Sequence, residues 1–186
     1  MNKHNSGTLT LLGISIVLQC LCCLFPDLTN LLALNTHSIL FPLQLVTSML
    51  SHAGWQHLIG NYMYGLPAML YLEKTLGKVK FLELFFLCGL GATMLFIILG
   101  GEQAIGSSGA IAGMLGAACC LFGRTKIEHL LALFFAMCFL VPQIVMLPWM
   151  SITGVAYSAH IGGALAGILL THRFYRPLSE CKPVKK

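Results

Sequence analysis

Ser108 and His160 are the two residues with which this chain could do covalent chemistry. Ser108 stands in Ala104-Ile105-Gly106-Ser107-Ser108-Gly109-Ala110, at the mouth of an apolar segment, and His160 lies in a second apolar segment far along the chain. A serine hydroxyl alone is a weak nucleophile and needs a base. Every Lys falls in a loop or tail at one end of the apolar segments, out of reach of Ser108. Asp27 is the only Asp, which excludes a pair of aspartates, and Glu102 precedes the Gly-Ser-Ser-Gly run in a loop. His-Glu-x-x-His, the helical zinc-hydrolase motif, is absent. The pair that remains has Ser108 attacking a peptide carbonyl while neutral His160 takes its proton and later hands it to the leaving amine. The oxyanion that forms needs donors already in place. Asn61 and His57, one helical turn apart, are suited to this, and so is the Ser108 N–H at a helix start. Plainer roles stand beside these: Ser108 as a small packing residue, and His160 or Asn61 as an interhelical hydrogen-bonding group.

The elements that must position these groups are membrane helices. The chain has 186 residues, 57% hydrophobic and 9% charged, where a soluble domain carries about a quarter charged residues. Apolar runs predict six spans, roughly 8–25, 57–72, 80–99, 108–123, 128–147 and 156–172. The expectation is an all-α six-helix membrane bundle, one domain over 1–186 with a basic tail over 173–186. The net charge of +5 invites a nucleic-acid partner, and its distribution excludes one. Lys3 precedes the first span, Lys74, Lys78 and Lys80 follow the second, and Arg124 and Lys126 follow the fourth. Arg173, Arg176, Lys182, Lys185 and Lys186 follow the sixth, and the alternate loops carry no Lys or Arg. This is the positive-inside pattern, which places both termini in the cytoplasm and makes the lipid bilayer the basic tail's partner. The eight cysteines sit in spans or in the tail, without metal-ligand spacing, and read as apolar filler.

Depth follows from helical rise. Counting about 1.5 Å per residue from the nearest cytoplasmic Lys or Arg puts Ser108 roughly 24 Å, and His160 and Asn61 roughly 20 Å, above the inner face. All therefore fall in the outer half of the hydrocarbon layer, with His57 a turn higher. Gly109, Gly113 and Gly116 on the fourth span and Gly163 and Gly167 on the sixth predict a close backbone contact between the two. That contact would bring the imidazole to the serine. Gly106 and the polar Ser107 beside the outer surface suggest a cavity open to the outside. Trp55, Trp149, Tyr62, Tyr64 and Tyr157 read as interfacial anchors, and Pro142 and Pro148 predict a fifth span that is not straight at its outer end.

Three motifs in this order carry a resemblance to the rhomboid intramembrane serine proteases. They are His52-x4-His57-x3-Asn61, Gly106-Ser107-Ser108-Gly109, and Ala159-His160-x2-Gly163-x3-Gly167. The resemblance covers essentially all six spans, and Glu73 and Gly77 also fit it. It implies Ser108 as nucleophile, His160 as base and His57 and Asn61 at the oxyanion. It also implies that His52 holds the first outward loop, that no metal or organic cofactor is needed, and that transmembrane protein segments are cut near their outer ends. Two departures are plain. Ala112 stands where many members have an aromatic stacked on the imidazole, and Leu40-Phe41-Pro42-Leu43-Gln44-Leu45 lacks the family's Trp-Arg pair. With the short chain, these departures leave open a place in the rhombosortase-like subgroup, which processes C-terminal anchors. Compact size and the absence of a targeting segment predict a bacterial inner membrane. A transporter would need an ionisable path or a repeated half, and neither is visible. The other alternative is an inactive relative that binds transmembrane segments without cutting them.

Overall fold

The computed structural model describes residues 6–121, 130, 137, 138, 140–149 and 154–175. Five helices carry most of it: α1 (Ser6–Leu24), α4 (Trp55–Leu76), α5 (Lys78–Ile98), α6 (Ser108–Leu121) and α7 (Tyr157–Leu170). Two shorter helices, α2 (Asp27–Leu32) and α3 (Phe41–Leu50), lie in the connection between α1 and α4. Two-residue strands β1 (Leu34–Asn35) and β2 (Gln103–Ala104) pair antiparallel. Residues 140–146 are helical and run into a 3-10 turn, Leu147–Trp149. Much of the expected fifth span, the tail from 176 onward and Lys3 lie outside the described residues.

These helices are built for lipid rather than water. Leu9, Val17, Leu90, Met94, Ile98 and Leu169 are all exposed, an outer surface that only an apolar solvent accommodates. Among the described residues α1 and α5 have the length and hydropathy of membrane spans. The core lies between α4, α5 and α6, where Met69, Leu72, Phe81, Phe85 and Met114 are buried. The central helix is α6, with Gly109 through Met114 buried without a break. Ser108 stands at its first position, half-buried, directly before that run.

Polar side chains tie the outer helices to this core. The Glu73 carboxyl, buried on α4, accepts from Gly7 N at 2.6 Å and Thr8 N at 2.8 Å, two of the N–H groups that the start of α1 cannot satisfy itself. Gly77, at φ +83°, ends α4 and turns the chain directly into α5. Further up, Ser15 Oγ lies 3.1 Å from Tyr62 Oη. Tyr62 is therefore not an interfacial anchor: it is buried, because its hydroxyl finds a partner on α1 rather than at the headgroups. Tyr64 and Trp55 are exposed on α4.

The first outward connection is held by Gln44, buried on α3. Its amide donates to Leu31 O at 3.0 Å and its carbonyl accepts from Asn35 N at 3.1 Å. Thr47 Oγ1 adds a bond to Leu32 O at 2.9 Å. The connection is then clamped to the stretch before α6 by β1–β2 and by Gly106 N donating to Ser48 O at 2.8 Å.

Candidate active site

The local backbone around Ser108 explains why the run before it must be Gly-Ser-Ser-Gly. Gly106 has φ +122°, a conformation other residues rarely adopt. A methyl there would also lie 2.6 Å from His57 Cε1 and 3.3 Å from Asn61 Nδ2. Two side chains of α4 thus press against the turn that delivers Ser108 to the first position of α6. Asn61 Nδ2 is buried with no hydrogen-bond partner, and such a donor is costly unless something fills its place. The Ser108 N–H belongs to the helix start, where N–H groups lack intrahelical acceptors.

Ser107, next in the turn, braces the site from outside the cavity. It is fully buried, and its Oγ lies 3.1 Å from His52 Nε2. His52 precedes α4 in the chain, so this bond locks the turn before α6 onto the start of α4. Burial, together with the neighbouring His57, pushes the His52 ring down to about 4 from its ordinary 6.5, so it serves as a neutral partner. Its ring meets His57 edge-on, with centroids 5.3 Å apart.

The imidazole comes from α7. His160 Nε2 lies 2.9 Å from Ser108 Oγ, and the helix packing that allows it is the one expected. A methyl on Gly163 would overlap the Gly109 carbonyl oxygen, and one on Gly167 the Gly113 carbonyl oxygen. Gly109 in turn faces Ala92 of α5. Ser108, His160, His57, Asn61 and Gly106 line one cavity of about 760 Å³. Gly89, Ala92 and Phe96 of α5 form one wall, and Leu34, Ser48 and Met49 of the first connection form another.

Every sequence-selected site residue lies at or beside this cavity, although the roles of Ser107 and His52 are those of a brace. Glu102 lies 3.7 Å from exposed His37, away from the dyad, and Asp27 opens α2. A residue beside the imidazole escaped sequence reasoning. Gln143 Oε1 lies 2.6 Å from His160 Nδ1. Its signal was an amide in the apolar run Leu140-Val141-Pro142-Gln143-Ile144, and polar groups at membrane depth usually have a task. Ala112, where an aromatic was the alternative, is fully buried.

Residues 42–177 match the family model described as the rhomboid domain. The chain belongs to the rhomboid family. It is 30% identical to Rhomboid-like protease 5 of Toxoplasma gondii over 132 residues, covering 68% of this chain and 15% of that protein. Against the mitochondrial RHOMBOID-like protein 6 of Arabidopsis thaliana it is 30% identical over 134 residues, covering 68% of this chain and 42% of that protein. The aligned region thus spans under half the length of either relative. Rhomboids are integral membrane proteins, and the family is in general one of intramembrane proteases, with inactive members among them. The matched description is that of the whole domain, not of a rhombosortase-like subgroup, and both relatives are eukaryotic, which lends no support to a bacterial membrane.

Proposed function

We propose that the protein is an intramembrane serine endopeptidase that cuts transmembrane segments of membrane proteins near the outer face of the bilayer. The observation that carries this reading is the 2.9 Å separation of Ser108 Oγ and His160 Nε2, at a helix mouth, on a cavity that Asn61 also lines. Ser108 Oγ bonds to the substrate carbonyl carbon as its proton passes to His160 Nε2. The carbonyl oxygen becomes an oxyanion held by the Ser108 N–H, the Asn61 amide and His57. The C–N bond then breaks, and the imidazolium protonates the leaving amine. Water, deprotonated by the same Nε2, attacks the acyl ester and restores Ser108. The proposed setting is six spans forming one domain, with both termini and the basic residues 173–186 in the cytoplasm.

The buried and unpartnered Asn61 Nδ2 supports the oxyanion role. The cavity walls of Gly89, Ala92 and Gly109 leave space beside the serine for an extended substrate segment. The test is cleavage of a fluorogenic single-span substrate by purified protein, with Ser108→Ala and His160→Ala alongside. Loss in both supports the dyad. Cleavage that survives Ser108→Ala removes the mechanism, and a wild type that binds the substrate without cutting it points to an inactive relative.

A further inference from the structure

Gln143 has no part in the dyad reading, yet it touches the imidazole. It comes from the 140–146 helical segment and is half-buried, with Oε1 2.6 Å from His160 Nδ1. The opposite ring nitrogen, Nε2, faces Ser108 Oγ at 2.9 Å. A neutral imidazole carries one N–H and one lone-pair nitrogen, and the bond made by one nitrogen sets the role of the other. To take the serine proton, Nε2 must hold the lone pair, which puts the ring proton on Nδ1. A carbonyl oxygen is the partner that accepts from Nδ1–H. A carboxylate could do the same, but ionising it in an apolar segment costs far more than placing an amide there.

We infer that Gln143 is a positioning residue for this reaction: its amide oxygen accepts from His160 Nδ1–H, fixes the tautomer and ring orientation, and shares the positive charge as Nε2 takes the proton. The inference rests on the Ser108–His160 reading. Turned the other way, the amide would donate to Nδ1 and force the proton onto Nε2, where the ring could not act as base. Gln143 is not among the cavity-lining residues, so it holds the ring from behind and does not meet the substrate. Its removal is therefore felt in kcat and not in KM.

The experiment measures kcat and KM of the full chain on the single-span substrate for wild type, Gln143→Leu, Gln143→Glu and Ser108→Ala, with thermal unfolding of each. Gln143→Leu is expected to lower kcat about tenfold, the size of one neutral hydrogen bond at the upper end of its range, with KM unchanged. Gln143→Glu keeps the acceptor and is expected to recover most of that loss. A Gln143→Leu protein at wild-type kcat overturns the inference, and so do Leu and Glu variants impaired alike, since packing would then be what matters. If Gln143→Leu unfolds early, the rate of fluorophosphonate labelling of Ser108 below its unfolding temperature decides. Labelling restored by Glu but not by Leu supports the inference, and equal labelling rates overturn it. Full activity in Ser108→Ala sinks the dyad itself, whereas an inactive Ser108→Ala beside a fully active Gln143→Leu sinks only the role of Gln143.

Discussion

The contact between α6 and α7 has different surroundings at its two ends, a dry one and one beside a cavity. Toward the C-terminal end of both helices it is backbone against backbone. Gly113, Gly116 and Gly167 leave no room for a methyl, and a Cβ on Gly116 would lie 2.6 Å from the Ala164 carbonyl oxygen. Toward the N-terminal end the close contact continues to Gly109 and Gly163 and borders a cavity lined by Ser108 and His160, with Asn61 and His57 of α4. The dry end explains the polar end. Helices separated by ordinary side chains lie 8–10 Å apart, and glycines allow a closer approach. A serine and a histidine on adjacent helices can then share one hydrogen bond without long, mobile side chains. The glycine end supplies rigidity, and the cavity end spends it on placing reactive atoms.

Substitutions at the two ends should therefore fail differently. Ser108→Ala at the cavity end should lower cleavage by at least about a thousandfold while leaving the unfolding temperature near that of wild type. Fluorogenic cleavage and differential scanning fluorimetry in detergent check both halves of that statement. Asn61→Ala should lower kcat by about 10²-fold, as for loss of one oxyanion donor, again without a stability cost, because its buried amide has no protein partner to lose. Gly163→Ala, at the junction of the two ends, should do both. The methyl meets the Gly109 carbonyl oxygen, so a destabilisation of about 1–3 kcal/mol and a fall in kcat should appear together. A stable Gly163→Ala protein with full activity would show that the close contact does not set the Ser–His distance. Glu73→Ala lies far from both ends and is the control. Losing its two bonds to the start of α1 should cost about 1–2 kcal/mol, seen in thermal unfolding, with kcat unchanged below the transition.

Much of this arrangement was legible before any coordinates. The apolar runs matched α1, α4, α5, α6 and α7 to within a few residues, because a membrane span is long, nearly uncharged and bounded by charge or glycine. Glycines four apart announced the α6–α7 contact, since four residues is close to one helical turn. Tyr62 was misread because it was assigned by sequence position along the membrane normal, but burial depends on what lies sideways, and Ser15 hydrogen-bonds its hydroxyl. Gln44 and Gln143 escaped for the same reason, as single amides whose partners come from distant parts of the chain.

The sequence by itself pointed to a membrane protein of the rhomboid family, to the apolar runs that became α1, α4, α5, α6 and α7, and to a hydroxyl and an imidazole as the candidate reactive groups. Composition, period and short motifs suffice for those statements, because each depends on residues close together in the chain. Only the tertiary structure decided that Ser107 is a brace rather than a wall of the site, that Asn61 points an unpaired amide into the turn before Ser108, and that Gln143 reaches the far side of the His160 ring. These depend on lateral neighbours of distances near 3 Å. Hydrogen bonds are that short and directional, and one-dimensional spacing carries no information about them.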